Sequence, residues 1–189
     1  SPIVLAGSNT QMFGGDTLSG GSYAFTNANA GNGNRTVTVA GVSINDGNNG
    51  ANYAVTYASN TTSTIDPKAL TVTALSQTKV YDSNTSVASS ALNVGYGVSG
   101  LVGSESLSGV TLAYSDANVS RDGGGTVLSD KTIAASAAQA TAGTVLSDYA
   151  ISYVNNTTSA ITPYVVSLTG GRVYDATTDV AASALTIGT

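Results

Sequence analysis

The chain contains no cysteine, no histidine and no tryptophan. Without His or Cys, neither a Ser-His-Asp nor a Cys-His arrangement can be assembled from these residues. Without Cys there are also no disulfide staples, so sheet pairing and neighbouring elements must hold the fold. Charge is scarce: Asp, Glu, Lys and Arg make up 9% of the residues, against about a quarter in ordinary soluble domains. The formal net charge is −5. No Lys/Arg stripe exists, so nucleic acid and an anionic membrane surface are not expected partners. No apolar run is long enough for a membrane span, which takes about 18 residues. Glu105 is the only glutamate and sits in a Gly/Ser-rich stretch, a poor start for a carboxylate pair. An enzyme is not expected.

What is present is a repeat. Residues 148–163 read DYAISYVNNTTSAITP, and residues 52–67 read NYAVTYASNTTSTIDP. The sequences after each copy match too: KALTVTALSQTKVYDSNTSV follows Pro67, and YVVSLTGGRVYDATTDV follows Pro163. Matched positions lie 93 residues apart at Tyr81 and Tyr174, and 96 apart at Ile65 and Ile161. Self-similarity at this spacing marks successive copies of one unit. The expected division is residues 1–67 as the C-terminal part of one repeat, 68–163 as a complete repeat, and 164–189 as the N-terminal part of the next.

Alternation of apolar and polar residues, with Gly, Asn, Asp and Ser between the runs, predicts short strands joined by turns. Expected strands include residues 3–5, 21–27, 36–40, 107–114, 131–134 and 149–154. A long strand or hairpin is expected over 52–65, where Tyr53, Val55 and Tyr57 alternate with smaller residues. Residues 13–16 and 46–52 read as turns and 27–34 as a Gly/Asn loop. Gly41 interrupts an otherwise continuous strand pattern, which predicts a bulge or kink. The stretch AASAAQATA at 134–142 alone has helical propensity, without caps or a charged face. The expected fold is all-β, as tandem elongated β-sandwich-like repeat domains. A β-helix is the alternative, although no similarity near 20–30 residues appears inside a unit.

Two sets of residues are candidates for binding. Asp46 and Asn48, and Asp116 and Asp122, stand in Gly-rich loops where alternating oxygen ligands suit Ca²⁺. The same residue types make turns by accepting backbone hydrogen bonds. Tyr53, Tyr57, Tyr149 and Tyr153 would make an aromatic strip for polysaccharide or a receptor if exposed, and core residues if buried. Asp82 is expected to close a turn after Tyr81 by accepting backbone hydrogen bonds.

The sequence I-D-P or I-T-P, then K-A-L-T-V, a break and K-V-Y-D, with N-Y-A-V or D-Y-A-I before the next proline, resembles the YDG-type repeats. Related MBG-type repeats accompany these in large bacterial surface and secreted proteins similar to the filamentous haemagglutinin and two-partner secretion families. The name-giving triplet falls at Tyr81-Asp82-Ser83 and Tyr174-Asp175-Ala176. Neither third position is Gly, so the turn geometry is open to change. The resemblance implies an extracellular or cell-surface stalk, spacer or adhesin segment of a biofilm or matrix fibre. It implies neighbouring repeats as the chief partners, and it supplies no binding residues. Because the first and last parts of the chain are complementary portions of one unit, head-to-tail assembly into a filament by strand addition is a further expectation.

Overall fold

The computed structural model describes residues 12–179 and 181–188. Among them the structure is nearly all β, with no α-helix and two short 3-10 turns at Leu146–Asp148 and Ala182–Ala184. No helix among the described residues is long and apolar enough to cross a membrane; that statement does not bear on β-barrels. The strand expected at residues 3–5 lies outside the described residues. The chain divides into two compact units. The first runs through Ala69 and includes Val145–Ala150; the second holds Leu70–Thr144 and the residues from Ile151 onward.

The first unit is built on β1 (Thr17–Phe25), β2 (Gly31–Asn45) and β3 (Asn60–Ile65), paired antiparallel in that order. The turn expected before β1 is closed by the Asp16 N–H donating to the Phe13 carbonyl at 3.1 Å. The Gly/Asn loop after β1 is shorter than expected, because β2 already begins at Gly31. None of residues 12–69 in this unit is fully buried.

The second unit holds most of three sheets. A four-stranded sheet runs in the order β5 (Thr78–Val80), β10 (Asn156–Thr162), β8 (Lys131–Ala140), β7 (Leu107–Tyr114). A three-stranded sheet runs β6 (Tyr96–Ser99), β4 (Lys68–Ala74), β9 (Tyr149–Val154). β11 (Ser167–Gly170) and β12 (Leu185–Gly188) form an antiparallel pair. The core is made by alternate residues, as a pleated strand requires. In β4 these are Leu70, Val72 and Ala74; in β8, Ile133 and Ala135. Burying side chains the size of Leu70, Ile133 and Ile161 stabilises by about 2 kcal/mol each. In β7 the buried set passes from Leu107 to Val110, Leu112 and Tyr114, out of step with a period of two. The register shifts at Gly109, between Leu107 and Thr111, and that irregularity resets which face points inward.

The same pairing occurs in both units. Arg35 pairs with Ser63 and Val37 with Asn60 between β2 and β3; Lys131 pairs with Ser159 and Ile133 with Asn156 between β8 and β10. Each of those residues lies 96 positions after its counterpart. Tyr23↔Val39 and Phe25↔Val37 in the first unit correspond to Leu112↔Ala135 and Tyr114↔Ile133 in the second, at a spacing of 89 from β1 to β7 and 96 from β2 to β8. Burial differs sharply at these sites. Tyr23 and Phe25 are 51% and 44% exposed, whereas Leu112 and Tyr114 are 8% and 3% exposed.

One expectation needs correction. The strand or hairpin over 52–65 is realised only at β3, while residues 53–59 belong to no strand. Its counterpart β9 is a strand because β4 pairs with it. Residues 53–59 pair with no strand among the described residues, so alternation alone did not make one. The helical propensity at 134–142 is overridden: β8 extends to Ala140, with β7 on one side and β10 on the other.

Candidate functional site

A tyrosine clamp recurs in both units. Gly41 in β2 and Ala137 in β8 occupy matched positions, with φ of 67° and 48°. The residue after each one donates its N–H to a tyrosine hydroxyl: Val42 to Tyr57 at 3.1 Å, and Ala138 to Tyr153 at 2.9 Å. A left-handed residue turns the next N–H away from the regular ladder, and the tyrosine supplies the acceptor it needs. The irregularity expected at Gly41 is thus present as a positive φ. In β8 an alanine adopts the equivalent conformation.

The four tyrosine candidates have different surroundings. Tyr149 is buried, Tyr53 is half-buried, and Tyr57 and Tyr153 are exposed. The Tyr53 hydroxyl donates to Asp16 Oδ2 at 2.7 Å and accepts the Phe13 N–H at 2.9 Å. The Asp16 carboxylate beside it raises its pKa, opposed by the Phe13 N–H. Tyr53 and Tyr57 thereby fasten residues 53–57 to the start of β1 and to β2.

The candidate metal ligands act as turn caps. Asp46 Oδ1 accepts the N–H groups of Asn48 and Gly50, both at 2.8 Å, and Oδ2 accepts that of Asn52 at 3.2 Å. Those donors, led by Gly50, hold its carboxyl below the usual range. Asn48 donates its side-chain amide to Asn52 Oδ1 at 3.1 Å. Asp122 Oδ1 accepts from the N–H groups of Gly124 and Thr126. Asp116 receives the Lys131 ammonium on both oxygens, at 2.8 and 2.9 Å, and the Asn118 N–H at 2.8 Å. Asp46 belongs to one unit and Asp116 and Asp122 to the other. No group of three His, Cys, Asp or Glu suited to a metal gathers among the described residues.

The Tyr81-Asp82-Ser83 turn was legible as a turn, but its organiser was not. The Lys79 ammonium donates to Asp82 Oδ1 at 2.6 Å and to the Asn84 carbonyl at 2.7 Å. It lies 5.6 Å from the centroid of the Tyr114 ring, a cation–π distance. Lys79 lowers the Asp82 pKa, and the Asn84 N–H adds to the effect. Ser83 takes φ 63° and its counterpart Ala176 takes φ 62°. The glycine-like conformation is therefore kept by two residues that are not glycine. In the later copy Arg172 takes the role of Lys79, bonding Asp175 and the Thr177 carbonyl. Beside the first turn is an open groove of about 800 Å³, lined by Tyr81, Asp82, Arg121, Tyr164 and Val166 among others. No motif in the sequence pointed to it, because its lining comes from three separate stretches.

A family model described as YDG domain matches residues 3–62 and again residues 66–160. Searches of curated proteins and of solved structures return no match.

Proposed function

The chain belongs to the YDG domain family, and from that premise we propose that it is a structural spacer, a run of tandem β-sandwich-like repeats in an exported bacterial adhesin or matrix protein. Its work is mechanical: strands hold a distal part of the parent protein away from the cell surface. The observation that carries this reading is the recurrence of one pairing scheme, β1-β2-β3 and β7-β8-β10, at matched positions. Repetition of a supersecondary unit builds length without new chemistry. A surface of Ser, Thr, Asn and Gly with few charges and carboxylates engaged as turn caps agree with a passive role. Stretching the chain by its ends in a force instrument tests the proposal. A discrete unfolding event for the second unit is expected; smooth extension without any such event would overturn it.

A glycan- or receptor-binding module is the second reading, and the exposed rings of Tyr57 and Tyr153 favour it. Their hydroxyls are engaged with main-chain N–H groups, which leaves the ring faces for stacking. Glycan-array binding that disappears in a folded Tyr57→Ala variant would support it.

A further inference from the structure

Matched positions lie 89 residues apart from β1 to β7 but 96 apart from β2 to β8, so the loop between β7 and β8 is seven residues longer than its counterpart in the first unit. The longer loop folds into a hairpin. Arg121 bridges to Val127, and the Asp122 and Leu128 N–H groups donate to the Thr126 and Ser120 carbonyls, both at 3.0 Å. Asp122 Oδ1 caps the tip through the Gly124 and Thr126 N–H groups. An insertion into one copy of a repeat goes to a loop and adds what the shared unit lacks.

This insertion brings Arg121 to the groove beside the Tyr81-Asp82-Ser83 turn. Its guanidinium bonds the Gly125 carbonyl of the same hairpin and forms no ion pair among the described residues, whereas Lys79, Lys131 and Arg172 each hold an aspartate. Asp82, which also lines the groove, is engaged by the Lys79 ammonium at 2.6 Å. The groove therefore offers a cation without a carboxylate partner. Tyr81 and Tyr164 border it, 38% and 54% exposed. Lys68 holds the place of Tyr164 at the start of the complete repeat and is exposed too, so a side chain at this position stays open when the unit after it is complete. Val166, whose counterpart Leu70 is buried, is left out of the site.

We propose that this groove binds an acidic saccharide, a uronic-acid oligomer whose carboxylate meets the Arg121 guanidinium and whose sugar rings lie on Tyr81 and Tyr164. A carboxylate matches the guanidinium fork through two parallel hydrogen bonds. The C–H face of a pyranose covers a phenol ring, and Ser83 and Asn118 supply hydrogen-bond partners for sugar hydroxyls. A wide, open groove suits a chain of flat rings better than a compact ligand that must be enclosed. Neither Tyr57 nor Tyr153 lines the groove, and the spacer reading does not depend on it.

Titration calorimetry of the 189-residue chain with tetragalacturonate tests the site. Binding with a Kd of about 0.1–1 mM is expected, weakening as salt screens the charge pair. Arg121→Gln, and separately the methyl-esterified oligomer, are each expected to weaken binding about tenfold. Tyr81→Ala and Tyr164→Ala are each expected to weaken it about threefold to tenfold. All three side chains are exposed, so each variant is expected to keep the urea midpoint of the parent. If Arg121→Gln lowers that midpoint, Arg121→Lys, which keeps the charge without the fork, is read in its place. No binding at about 10 mM oligomer, parental affinity in the Arg121 variant or in both tyrosine variants, equal binding of the neutral ester, or equal binding of a polyglutamate peptide would each overturn the inference. None of these outcomes bears on unfolding under force, so this inference and the spacer reading fail separately.

Discussion

The hydroxyl of Tyr153 accepts the N–H of Ala138 at 2.9 Å, and the left-handed residue just before that N–H is an alanine. The pair joins β9 to β8, strands of two different sheets in the second unit. Tyr153→Phe keeps the ring and removes the acceptor. The Ala138 N–H is near solvent, so water replaces part of the loss, and the cost is expected to be about 1 kcal/mol. Urea unfolding of the variant checks this. An unchanged midpoint would show that the hydroxyl contributes nothing net.

Ser83, Ala137 and Ala176 have φ of 63°, 48° and 62°. A residue with a Cβ pays for that conformation by about 1–2 kcal/mol, while glycine loses about 0.5–1 kcal/mol more chain entropy on folding. Replacing Ser83 or Ala137 by glycine is expected to raise stability by about 0.5–1 kcal/mol. Ser83→Val, with a branched Cβ in the same conformation, is expected to lower it. Urea midpoints of the three variants give the order. A glycine variant less stable than the parent would mean that the entropy term outweighs the strain.

These positive φ angles mark the limit of what the sequence discloses. The repeat was legible because Tyr53 with Tyr149, Tyr57 with Tyr153 and the Asn-Thr-Thr-Ser stretches stand at constant spacing. The turn role of Asp46 was legible because its Asn and Gly neighbours suit a carboxylate cap. The conformation at Ser83 and Ala176 was not, since neither residue announces it. Whether 53–58 becomes a strand was also beyond local reading. Its alternation matches that of β9, but the outcome depends on a partner far away in the chain. The pairing of Lys79 with Asp82 and of Lys131 with Asp116 was not legible either, since the fold brings each ammonium to its carboxylate.

Lys131 is largely buried while Asp116 remains partly open to solvent, and the two form a two-pronged contact. Asp116→Asn leaves the ammonium with a weaker, neutral partner. Solvent access on the carboxylate side limits the damage, and a loss of about 1 kcal/mol is expected. Lys131→Met leaves the carboxylate free to hydrate and retains an apolar stem, so it is expected to cost less. Comparing the two by urea unfolding decides the matter. A larger loss for Lys131→Met would place the chief contribution in the charge rather than in the buried stem.

The pH dependence follows from the aspartates. Asp82 and Asp116 are held below their usual pKa chiefly by Lys79 and Lys131; Asp46 and Asp175 chiefly by the N–H groups of Gly50 and Thr177. A carboxylate with a depressed folded pKa favours the folded state at every pH above its unfolded value. That contribution is lost as pH falls through the folded value, because the unfolded chain binds protons first. With no histidine in the chain, no side chain of ordinary pKa titrates between about pH 5 and 8. The urea midpoint is therefore expected to stay level across that range and to fall below about pH 4. At the alkaline end the sign reverses in its cause. Tyr53 and Tyr114 are pushed above their usual pKa, by the Asp16 carboxylate and by burial respectively, so the folded state favours their neutral forms. Their contribution is complete below about pH 10 and is lost as pH rises through the folded values. An Asp82→Asn, Asp116→Asn double variant should show a shallower acid limb and an unchanged alkaline one. An acid limb as steep as the parent's would assign the acid sensitivity to other carboxylates.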